Sequence, residues 1–106
     1  MEELRAGISK LAQEELIRAN SLHMMFPSPQ HGHGVLKEEI EECGEAYTHL
    51  KAYLDRIWFD IRRDRETPVA LLNNMGDQAI NLACEVVQVV AMVRKYIDSM
   101  EDKVYE

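Results

Sequence analysis

The sequence predicts an all-α protein of three long helices, and three observations carry that expectation. Apolar residues recur in alternating steps of three and four through the middle and the last third of the chain. Two breaker-rich stretches, FPSPQHGHG at 26–34 and RRDRETP at 62–68, interrupt the pattern. Finally, Asn74–Val93, NMGDQAINLACEVVQVVAMV, reads as a helix that is apolar on nearly every side from Ala79 onward.

That last stretch organises the rest. At about 100° per residue, Asn74, Asp77, Asn81, Glu85 and Gln88 fall within roughly 80° of one another, as one polar stripe on a greasy rod. A helix apolar nearly all round is expected to be buried, and a buried carboxylate needs a cation, a proton or a strong donor. A Lys or Arg from a neighbouring helix is the simplest partner for Glu85. Against it stands a second acidic cluster, Glu38-Glu39-Ile40-Glu41-Glu42, which is short of the basic residues that such pairing would use.

Composition narrows the function. The 106 residues suit one domain or one subunit of a larger assembly. Asp plus Glu is 19 against 12 Lys plus Arg, a formal charge of -7, which argues against nucleic-acid binding through a basic surface. A phosphate-bearing ligand is still compatible with this charge if a divalent metal supplies the positive counterpart. No apolar run approaches the roughly 20 residues of a membrane span, and the acidic, amphipathic start MEELRAGISK is not a secretory signal. Cys43 and Cys84 lie in apolar helical settings without CxxC spacing, so reduced, buried thiols in a cytoplasmic protein are expected.

In chain order, the first helix runs from residue 2 to about 23, with Leu4, Ile8, Leu11, Ala12, Ala19 and Leu22 on one face. Glu15 lies in that face and either snorkels to its edge or points into an acidic centre. The two prolines and two glycines of FPSPQHGHG read as irregular loop, carrying His31 and His33 just ahead of the next helix. No Cys or further His stands at a spacing that completes a zinc site, so loop packing or contact with an anion at the helix N-terminus fits them better.

The second helix is expected from about Val35 to Arg63. Leu36, Ile40, Cys43, Tyr47, Leu50, Leu54, Ile57 and Ile61 alternate by four and three without a miss, as a bundle seam does. Glu39 and Glu42 lie one turn apart on its flank, and Glu38 and Glu41 point further away. Crowded like charges weaken a helix unless something neutralises them, although a solvated acidic face near a helix N-terminus is also favoured by the dipole. Thr67 and Pro68 supply a cap and a first turn for the third helix. Its spaced positions are Val69, Leu72, Gly76, Ala79, Ala83, Val86, Val90, Val93, Ile97 and Met100, before EDKVYE frays. Three helices of this length cannot cover the apolar surface around Ala79–Val93, so a homo-oligomer, dimer or tetramer, with a four-helix or larger bundle across subunits is expected.

With the second and third helices antiparallel, Glu42 lies 24 residues before the turn at Glu66 and Glu85 lies 19 after it, an axial offset of about 7.5 Å. Facing pairs Glu39/Glu42 and Glu85/Gln88 offer the oxygen ligands that a hard divalent cation takes.

These residues resemble a known family. EEIEE at 38–42 matches the EExxE signature of the MazG-like superfamily of all-α nucleoside triphosphate pyrophosphohydrolases, which includes dimeric dUTPases. CEVVQVVAMVRKYID, 84–98, is similar to the second signature helix of its small phage-type and bacterial members, and HGHGVLKEEIEECGEAY carries most of the likeness. The family's second motif is ExxD, whereas Glu85 here is followed by Gln88. The alternative pair, Asn74 with Asp77, lacks the Glu.

The resemblance implies a MazG-like four-helix-bundle core and Mg²⁺, or Mn²⁺, held by Glu39, Glu42 and Glu85, with Gln88 or Asp77 completing the set. It implies Glu38 as the residue that orients the attacking water or binds a second ion, and hydrolysis of a nucleotide to its monophosphate and pyrophosphate. Lys37, Lys51, Arg94 and Lys95 are candidate phosphate contacts, although a solvated surface charge is the simpler reading of each. Tyr47 and Trp58 suit core packing or stacking on a base. The rival reading is a catalytically silent helical assembly protein that keeps the fold and has lost part of its metal set.

Overall fold

A computed structural model describes residues 1–104, with side chains through Asp102. Among these residues the chain is helical without strands, as α1 (Glu2–Leu22), α2 (Pro29–Arg62) and α3 (Val69–Val104). No helix among them is long and apolar enough to cross a membrane.

The second helix begins six residues earlier than the sequence suggests. FPSPQHGHG is loop only as far as Ser28. There the side-chain Oγ accepts a hydrogen bond from the His31 N–H at 3.1 Å, and Pro29 occupies the first turn. Proline is tolerated at that position because its missing N–H has no helical partner anyway. His31 and His33 are therefore both helical, and the His31 ring lies 5.5 Å from that of Phe26. Gly32 permits a close approach, since a Cβ there would stand 2.5 Å from the Tyr96 ring of α3. At the other end of the chain, the fraying expected over EDKVYE does not start at Glu101. Helix α3 continues to Val104, and Tyr105 and Glu106 lie outside the described residues.

The backbones of α1 and α2 each lie along α3 and not along one another. The small core gathers where all three meet, with Leu16, Phe26, Ala91 and Met92 buried and Ala19, Val35, Leu36 and Tyr96 packed around them. Phe26 is fixed from both sides: its N–H donates to Ser99 Oγ at 2.9 Å, and Lys95 Nζ sits 5.3 Å from its ring centre.

Packing divides each long helix into an inner and an outer face. On α2, Leu36, Cys43, Leu50 and Ile57 are half-buried, whereas Ile40, Tyr47, Leu54 and Ile61 are exposed. On α3, the inner face is Leu71, Met75, Gln78, Leu82, Glu85, Met92, Lys95 and Ser99. The seam read from the sequence lies mainly on the outer face: Leu72, Ala79, Ala83, Val86, Val93, Ile97 and Met100 are all exposed. Tyr47 and Trp58 are also exposed and do not pack in the core of this chain.

The resulting molecule is a rod of 66 × 30 × 23 Å. Its radius of gyration is 18.3 Å, against about 13 Å for a compact domain of this length. Its accessible surface is 8036 Å², where a compact monomer of this mass exposes about 6,000 Å².

Candidate metal centre

The inner faces of α2 and α3 bring Glu39, Glu42 and Glu85 together, with one carboxylate oxygen from each within 4.8 Å of the others. Glu39 and Glu42 share a face because they stand one turn apart. Glu85 meets them from the antiparallel helix, and the long, rotatable side chains span the axial offset expected from the helix rise. Glu39 and Glu85 are half-buried and Glu42 is exposed, so the trio sits at the rim of the helix pair.

The electrostatics are those of acids crowded without a cation. Burial, then the charges of Glu42, Glu85 and Glu38, push the Glu39 carboxyl above its ordinary range. Glu42 is raised first by its hydrogen bond to Glu85 and then by that group's charge. The Cys43 thiol is raised by burial and by the charges of Glu85, Glu39 and Glu42. None of the ion pairs among the described residues involves the trio: they join Arg18 to Glu15, Lys37 to Glu41 and Arg56 to Asp60.

This donor set fits a hard divalent cation. Oxygens bound to one ion at about 2.0–2.6 Å stand at most about 5 Å apart, and three carboxylates leave coordination positions for water or phosphate. The same positive charge would remove the repulsion that raises Glu39 and Glu42.

The other candidates are placed differently. Gln88 turns toward α1, where its Nε2 donates to Glu15 Oε1 at 2.7 Å. Glu15 therefore does not enter the acidic centre. It also pairs with Arg18, and the Arg18 and Gln88 hydrogen bonds hold its carboxyl below the ordinary range. Asp77 is exposed and outside the trio, two turns down α3 from Glu85. Glu38 is exposed beside Glu39. Among the cations, Lys37 is exposed, with Nζ 3.8 Å from Glu41, and Lys51 lies over the Tyr47 ring. Arg94 grips α1 through the Ser9 carbonyl and hydroxyl. Lys95 is no surface charge: it is 2 % exposed, and burial lowers the pKa of its ammonium group. Both thiols are free, but Cys84 is exposed rather than buried.

Two features of the site escaped the sequence. The nearness of Cys43 to the acids was within reach, since it stands one helical turn from Glu39 on the same side of α2. The Glu15–Gln88 bond joins residues 73 apart, and no local pattern marks it.

The geometry thus defines an all-carboxylate centre on an antiparallel helix pair. Comparison of the chain with protein-family models, curated proteins and solved structures finds no match.

Proposed function

We propose that the chain is the subunit of a Mg²⁺-dependent nucleotide pyrophosphohydrolase, with Mn²⁺ as a substitute ion. The reaction is hydrolysis of a nucleoside triphosphate to its monophosphate and pyrophosphate. The observation that carries this reading is the convergence of Glu39, Glu42 and Glu85 without a cationic partner among the described residues. When bound there, the divalent ion lowers the pKa of water and offsets negative charge growing on the phosphates. Glu39, Glu42 and Glu85 hold it, and Glu38, exposed one residue before Glu39, orients the attacking water and takes up its proton. The proposal includes a homo-oligomer, supported by the open outer faces of α2 and α3 and the excess accessible surface.

One observation favours the rival, a catalytically silent assembly protein. Gln88, which stands where the resembling family has a carboxylate, has its amide N–H engaged by Glu15. Thermal melting with millimolar Mg²⁺ or Mn²⁺ separates the two readings. A metal bound by the native state raises the midpoint, and Glu85→Ala removes the rise. A pyrophosphate-release screen across canonical and modified triphosphates then identifies substrates. A blank across that panel with folded protein, or no melting shift, favours the silent reading.

A further inference from the structure

Two of the three acids, Glu42 and Glu85, line a groove of about 290 Å³ between α2 and α3, which runs past Glu45 and His49 on one wall and Gln78 and Asn81 on the other. Its size lies at the lower end of small-molecule sites, which span about 300–1,000 Å³, and suits one nucleoside unit. Its lining contains no Lys, Arg, Phe, Tyr or Trp. His49 is the one ring in the lining, and the other side chains meet a base through hydrogen bonds on a wall rich in acceptors. Glu42 and Glu85 belong to the metal centre. Glu45, one turn beyond Glu42, is left to accept from the ligand, while the Gln78 and Asn81 amides each offer a donor and an acceptor.

An exocyclic amino group beside a ring nitrogen complements such a wall. The amine donates to the Glu45 carboxylate, and an amide N–H of Gln78 or Asn81 donates to the ring nitrogen, as carboxylates and amides do with cytosine and adenine elsewhere. A base carrying a carbonyl at the same place sets its lone pairs against the Glu45 carboxylate, which is exposed on the groove wall and repels them. We infer that this groove seats the nucleoside part of the substrate and that Glu45, Gln78 and Asn81 select cytosine or adenine nucleotides over uracil or hypoxanthine nucleotides. The inference rests on the metal-dependent hydrolase reading and adds its substrate class.

The test is calorimetric binding of non-hydrolysable α,β-methylene triphosphates of cytidine, adenosine, uridine and inosine in the presence of Mg²⁺, to the wild type, Glu45→Gln and Asn81→Leu. A cytidine or adenosine analogue should bind about tenfold or more tightly than its uridine or inosine counterpart. Glu45→Gln, which removes the charge and supplies a donor to a carbonyl edge, should bring that ratio toward one. Asn81→Leu should weaken the preferred analogue. Both variants should keep the Mg²⁺-induced melting shift, which reports on the trio and on folding. Equal binding of all four analogues, no binding of any, or a preference that survives in Glu45→Gln overturns the inference while an intact Mg²⁺ shift leaves the hydrolase reading standing. Loss of the Mg²⁺ shift in the wild type overturns both.

Discussion

Glu42 shows how one carboxyl can oppose folding and still be required for binding. A carboxyl raised in the folded state contributes stability that is complete below its ordinary pKa and is lost as pH rises through the folded value. For Glu39 and Glu42, both raised, neutral pH is therefore the unfavourable side. Glu15, held low by Arg18 and Gln88, has the opposite sign: its contribution is present at neutral pH and is lost as pH falls through its depressed value. Glu42→Gln should accordingly raise the metal-free melting midpoint at neutral pH, with the gain fading below the ordinary carboxylate range, and should remove the Mg²⁺-induced rise. Scanning calorimetry with and without Mg²⁺ across that range checks both signs. A pair of glycines makes a second residue-level test. Gly34→Ala meets nothing within 4 Å and should stabilise α2 by about 0.5–1 kcal/mol. Gly32→Ala drives its methyl into the Tyr96 ring and should destabilise by about 1–3 kcal/mol, as read from urea midpoints. The trio was legible in the sequence because a lone acid in an apolar helix faces an acidic run. The fate of Gln88 was not, because its partner lies on a helix whose own polar residue had two plausible directions.

At the scale of the element, helix number and approximate bounds follow from spacing and breakers. The start of α2 does not, because proline and glycine mark a loop by composition, whereas Ser28 and Pro29 in sequence are also a helix cap and first turn. Ser28→Ala should cost about 1 kcal/mol, seen as a lower urea midpoint with an unchanged slope. Helix α3 presents a different difficulty. Being apolar nearly all round, it carries two overlapping seams, and periodicity cannot say which packs within the chain. The inner one includes Gln78, Glu85, Lys95 and Ser99, residues that a hydrophobic count passes over. Two of them have specific partners: Ser99 Oγ accepts from the Phe26 N–H, and Lys95 Nζ lies over the Phe26 ring.

For the whole molecule, the open seam is the dominant fact. Val86 and Val93 are 45 % and 41 % exposed on the outer face of α3, a continuous apolar stripe of the kind that a second chain covers. If copies pair there, Val93→Lys should shift sedimentation from a multiple of 12.2 kDa toward the single-chain mass, while leaving helix content intact by circular dichroism. The arrangement of α1 and α2, each against α3 but not against each other, also favours one order of assembly. The α2–α3 hairpin can zip from its turn, with little loop entropy to overcome. Docking of α1 closes a loop through nearly the whole chain, as its contacts Arg94–Ser9 and Gln88–Glu15 show. On the ribosome α1 emerges before the α3 surface on which it docks. Leu16→Ala should therefore accelerate unfolding while leaving the refolding rate nearly unchanged in stopped-flow chevrons, the signature of a helix that joins after the barrier is crossed.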